Sequence, residues 1–212
     1  MKKLTYRTLL SIFFYIQFSL GAAFTVTASI GVASVNALAL TISEITNVRV
    51  GTYLALFNIG FAIAYALMTK FKYLTLGAIQ IISFILFGYI LNFLVYDVMN
   101  DIANQSYIIR LFLLTLGITL AASAIGIVTL LRVITFPVEI VCHHLEVLGI
   151  MSFMKARYLL DVILIVSAIA LALMFDTDIY LREGTIITVV LFSFVMNTSK
   201  NVFEKRFVKH LF

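Results

Sequence analysis

The chain has 212 residues, of which 63% are apolar and only 12% charged, and its mean hydropathy is +1.12. This excludes an ordinary soluble domain, which is roughly half apolar and a quarter charged, and describes a polytopic helical membrane protein without a separate soluble part. The formal charge of +5 would suggest nucleic acid in a soluble protein, but here the basic residues sit in short loops and tails, as the positive-inside bias expects.

The amino terminus joins Lys2 and Lys3 to an apolar run and a small-residue site at Val26-Thr27-Ala28, the outline of a signal peptide. The run is as long as a membrane span, so it is read as an uncleaved first span over about 8–29. A weakly polar segment, 32–46, follows and is too short to cross the roughly 30 Å of hydrocarbon. Further spans are expected at about 53–68 and 74–96, ending near Asp97 and Asp101, and at 107–131, stopping at Arg132.

The stretch 134–150 breaks this pattern. It holds the only proline, Pro137, and the only cysteine, Cys142, with Glu139, His143, His144 and Glu146. A short helix over 137–149 sets Glu139, His143 and Glu146 on one face and Val138, Val141, Leu145 and Leu148 on the other. Such a helix is re-entrant or amphipathic rather than spanning. Spans at about 157–175 and 184–198 complete the chain, and a lone cysteine excludes an internal disulfide.

The order long, short, long, long therefore occurs twice. Sliding the chain by about 103 residues sets Ser34 on Pro137, Asn36 on Glu139, Leu40 on His143, Ser43 on Glu146 and Asn58 on Asp161. This predicts an all-α transmembrane bundle of two repeats, 1–104 and 105–212, each with three spans and one short helix. With both short helices non-crossing and both termini cytoplasmic, only Arg49, Arg110 and Arg182 of the 15 basic residues lie outside. Eight spans would move Lys70, Lys72 and Arg132 outside but Arg49 and Arg110 inside, giving an 11-to-4 split only one residue worse. The cost of Glu139, His143 and Glu146 at mid-bilayer decides for six. Three crossings per half make the repeats inverted, a plan found in many secondary transporters.

These residues resemble the YczE/YyaS/YitT-type bacterial integral membrane proteins over about 6–207. The family's marker is the turn after the first span: glycine, two small residues or a serine-proline pair, an aromatic and an acid. Gly31-Val32-Ala33-Ser34-Val35-Asn36 keeps the glycine and lacks the proline, aromatic and acid, whereas Phe136-Pro137-Val138-Glu139 keeps proline and acid. Gly51-Thr52 followed by Asn58, and Gly184-Thr185, are similar to family positions. The resemblance implies a multi-pass protein of the bacterial cytoplasmic membrane and implies no substrate or catalytic residue.

The candidate solute or ion pathway is Asn36, Asn58, Glu139, His143 and Asp161. Glu139, His143 and Glu146 form a weaker metal-ligand alternative, and a wet amphipathic face is the bland reading of the same three. Asp161 lies inside a span, where acids are functional candidates by default, and an ordinary salt bridge to Arg157 is its structural alternative. Gly21, Gly60, Gly88, Gly117 and Gly126 are expected to allow close helix packing. No nucleotide loop, paired-cysteine site or Ser-His-Asp pattern occurs, so neither an enzyme nor a cofactor is expected. The favoured function is a small permease for a solute or ion; the alternative is a scaffold that stabilises or regulates a partner complex. Partners in view are the bilayer, a solute or ion, and a second copy or another membrane protein; nucleic acid is not among them.

Overall fold

A computed structural model of the chain describes residues 2–71, 74–131 and 136–208, without the side chains of 2–4, 74–79 and 207–208. Lys72, Arg132 and Lys209, which entered the topology argument, lie outside the described residues. The helices are α1 (Lys2–Ala28), α2 (Ser34–Thr46), α3 (Val50–Met68), α4 (Leu74–Asn92), α5 (Tyr107–Leu131), α6 (Pro137–Val147), α7 (Phe153–Phe175) and α8 (Glu183–Phe203). A π-helical turn, Phe93–Val98, prolongs α4. Among the described residues there is no strand. Six helices, all but α2 and α6, are long and apolar enough to cross a membrane. The protein is thus an all-helical, multi-pass membrane protein, and its many exposed large apolar side chains, such as Ile108 and Met174, are suited to lipid.

Local sequence explains where the short helices stop. Pro137 stands at the first position of α6, where its missing N–H costs nothing. Gly149 closes the helix in the left-handed region, at φ 72°. Gly149 and Ile150 donate their N–H groups to Glu146 and Leu145 at 2.9 and 3.1 Å, a Schellman closure that L-residues adopt only at a cost. Asn47 ends α2 in the same left-handed region.

The chain forms two compact units, and each draws helices from both sequence halves. The first contains 1–32, 93–134 and 182–212, and is built on α1, α5 and α8. In it α1 and α5 run antiparallel. Gly21 and Gly117 let their backbones meet: a Cβ at Gly21 would stand 2.6 Å from the Gly117 carbonyl oxygen, so neither position accepts a larger residue without movement. Gly60 differs from the other packing glycines, because the space beside it is open. It lies on an exposed part of α3 and sets no helix contact, which corrects the expectation for that position.

The α1–α5 pair is closed at both ends by arginine. Arg7 donates from Nε to the Leu131 carbonyl at 3.0 Å, and also from Nη2. Arg110 donates from Nε to the Ala28 carbonyl and from Nη2 to that of Ser29, both at 2.6 Å. Leu131 and Ala28 are the last residues of their helices, where free carbonyls and the helix dipole favour a cation. At the centre Gln17 donates to the Leu120 carbonyl at 3.1 Å and to Ser123 Oγ at 3.0 Å. Arg7 and Arg110, Ala28 and Leu131, and Gln17 and Leu120 are each 103 positions apart.

The second unit contains 33–92 and 135–181, hence α2, α3, α4, α6 and α7. Here α2 packs on α7 and α3, and α6 packs on α3 and α7, while α4 lies along α3. Exchanging α2 with α6 and α3 with α7 leaves the first four pairings unchanged. Asn92 Oδ1 accepts the Gly51 N–H at 2.7 Å, which satisfies one free donor at the start of α3. Glu44 near the end of α2 accepts the Asp178 N–H at 3.2 Å and the Tyr180 hydroxyl at 2.9 Å, fixing the segment after α7.

Candidate functional site

Within the second unit, the first turns of the two short helices bring Ser34 and Glu139 to the amino-terminal part of α7. α7 begins at Phe153 rather than near Arg157, because Ser152 precedes it in extended conformation and Glu146 Oε1 accepts the Phe153 N–H at 3.1 Å. Asp161 therefore lies eight residues into the helix, about 12 Å along its axis at 1.5 Å per residue. That is deeper than a start at Arg157 would give.

Arg157 is the hub. Its Nε donates to Asp161 Oδ2 at 3.2 Å and its Nη1 to Glu139 Oε1 at 3.4 Å. Asp161 Oδ1 in turn accepts the Ser34 hydroxyl at 2.5 Å. The series Glu139–Arg157–Asp161–Ser34 thus links α6, α7 and α2. The three charged side chains are each about one-third exposed. Beneath them Val138, Cys142 and Ala156 form a buried cluster, packed by Phe61, Leu145, Phe153 and Leu160. Burial raises the Cys142 thiol pKa; the Arg157 charge opposes this, and the Glu139 and Asp161 charges add to it.

The five sequence candidates do not all gather here. Glu139 and Asp161 share Arg157, so the salt bridge offered as the bland reading of Asp161 is present, but as part of a larger assembly. His143 points elsewhere: its Nδ1 is 3.5 Å from Glu146 Oε2, with side chains 70% and 45% exposed. His144 stacks edge-on against Tyr65. α6 is buried at its start and exposed at its end, with Val147 67% exposed, so the expected polar stripe divides. Among the described residues neither Asn36 nor Asn58 hydrogen-bonds to Asp161 or Glu139; both are half-buried. No three His, Cys, Asp or Glu residues converge as metal ligands among the described residues, and Glu139 is engaged by Arg157 rather than with His143 and Glu146.

Sequence reasoning placed Arg157 only as a salt-bridge partner and missed Ser34. The 103-residue register carried a signal for Ser34, since it stands opposite Pro137 at the start of the equivalent helix. No local pattern joins α6 to α7 through Glu139 and Arg157, which are 18 residues apart.

A family profile described as a family of unknown function, DUF6198, matches residues 5–201. The chain belongs to DUF6198. The match takes in both units of this DUF6198 protein and every residue of the charged cluster. No curated protein matches the chain, and no solved structure does.

Proposed function

We propose that this DUF6198 protein is a small permease for a solute or ion in the bacterial cytoplasmic membrane, with both termini cytoplasmic and two inverted halves. It is also proposed to carry out no catalysis. The observation that carries the reading is the Glu139–Arg157–Asp161–Ser34 assembly. A span holding an arginine and an acid, each bound to a different short helix, has a construction that scaffolding does not require, and intramembrane charges of this kind mark pathways.

The helix pairings add support. α1 and α5 clasp each other through residues at equivalent repeat positions, and the α2, α3, α6 and α7 pairings keep their form when the halves are exchanged. Inverted halves with short helices are a transporter plan, and the resemblance to YczE/YyaS/YitT-type proteins agrees with a bacterial membrane. The scaffold reading keeps one specific observation, the Arg157–Asp161 pair at i and i+4, which would serve a purely structural end.

The test is flux in proteoliposomes holding the full-length protein, for a panel of inorganic ions, carboxylates, amino acids and small amines. Flux of at least one class should be lost in Glu139→Gln and in Asp161→Asn. Absence of flux across the panel, with a membrane partner retained equally by wild type and both variants, would establish the scaffold.

A further inference from the structure

We propose that Glu139 is an exchange site for one monovalent cation, a proton or an alkali ion, and that Arg157 is the tethered cation which that ion displaces. The proposal deepens the permease reading and takes its purpose from it.

The cluster is uneven in charge. Two carboxylates share one guanidinium, so one negative charge is left without a partner of opposite sign among the cluster's residues. In surroundings of low dielectric an uncompensated charge is costly, and a mobile cation can neutralise it. The two acids are not equivalent. Asp161 has both oxygens engaged, Oδ1 by Ser34 and Oδ2 by Arg157, and it sits on the same helix as the arginine. Glu139 has a single, longer contact, 3.4 Å from Oε1, and reaches Arg157 from another helix. Among the described residues its Oε2 has no hydrogen-bond partner. Glu139 is therefore the acid that can leave, and Asp161 is the positioning residue that keeps Arg157 paired when it does.

The exchange balances. A cation binds the Glu139 carboxylate, the Arg157–Glu139 contact opens, and Arg157 retains Asp161, so no arginine is left unpaired in the bilayer. The structural consequence is a loosened start of α6, because that contact ties its first turn to α7 while the Val138–Cys142–Ala156 cluster and the Glu146–Phe153 bond still hold the rest. The other charged and titratable groups near Glu139 are few. α7 carries Arg157 and Asp161 with the exposed Lys155 and Tyr158, α3 has no charged residue and only Tyr53 and Tyr65 as titratable groups, and α6 itself carries Cys142, His143, His144 and Glu146.

The experiment is hydrogen–deuterium exchange of the α6 peptide in full-length protein held in lipid nanodiscs, corrected for the pH dependence of amide chemistry. One series lowers the pH in choline chloride; a second replaces choline with sodium or potassium at fixed alkaline pH. Protection of α6 should fall on the order of tenfold, the factor carried by one charge-assisted hydrogen bond, in the first series for a proton or the second for an alkali ion. The response should vanish in Glu139→Gln and weaken in Asp161→Asn, which removes both the surplus negative charge and the carboxylate that Arg157 keeps. Glu139→Asp, which keeps the carboxylate, should retain it should the glutamine variant fold poorly. No response of wild type in either series overturns the proposal, as does a response that survives in Glu139→Gln and so belongs to His143, His144 or Glu146. Flux without an α6 response would leave the permease and remove the exchange site; an α6 response without flux of any solute would do the reverse.

Discussion

Arg157 carries its charge four residues into a span, about 6 Å along the helix from Phe153. Its removal and the removal of either acid should have unequal effects. Arg157→Ala leaves Glu139 and Asp161 together with no cation between them, whereas Asp161→Asn leaves Arg157 with Glu139. Thermal melts of the purified protein should show Arg157→Ala as the more destabilising, by about 1–3 kcal/mol, the range for a lost charge-assisted hydrogen bond. An order reversed between these variants would show that the acids, rather than the arginine, organise the cluster. Cys142, buried beneath them, gives a second check. Its raised thiol pKa lowers the thiolate fraction at neutral pH, so alkylation should be slow in the folded protein, speed up as pH rises, and become fast on denaturation. Ready alkylation at neutral pH in the native protein would show α6 to be open.

Among the elements, α5 is the one whose bounds the sequence conveyed in full, at 107–131, because polar residues flank a long run in which Arg110 is the one charge. α7 was harder. Lys155 and Arg157 suggested an interface, yet the helix begins at Phe153, since Glu146 caps it and Glu139 neutralises Arg157 from another helix. Those contacts are long-range and leave no periodic trace. The π-helical turn after α4 also lacks a sequence signature. By contrast, the proline and glycine that bound α6 are local signals with one physical meaning. The α1–α5 pair yields a prediction at this scale. Gly117→Val should overpack the crossing with Gly21 and cost about 1–3 kcal/mol, while Gly60→Ala, in open space, should be neutral or slightly stabilising. Melting temperatures of the two variants check this, and equal losses would place the helix crossing elsewhere.

For the whole molecule, Arg7 and Arg110, 103 positions apart, each close one end of the α1–α5 pair on a terminal carbonyl, which supports the proposed duplication. Of the site, Glu139 and Asp161 were legible as charges in the wrong solvent; the divergence of His143 from them was not, because helix periodicity fixes a common face but not which part of it meets another helix. Opposite orientation of the two halves is the central claim, since it puts the short helices on the plan of a transporter. The most direct measurement is labelling of single cysteines by a membrane-impermeant thiol reagent in intact cells, in a Cys142→Ser background. Cysteine at Asn104, exposed in the turn between α4 and α5, should react from outside, and cysteine at Lys70 should react only after the membrane is opened. Reaction of the Lys70→Cys variant in intact cells would contradict inverted halves and leave eight crossings in two parallel repeats.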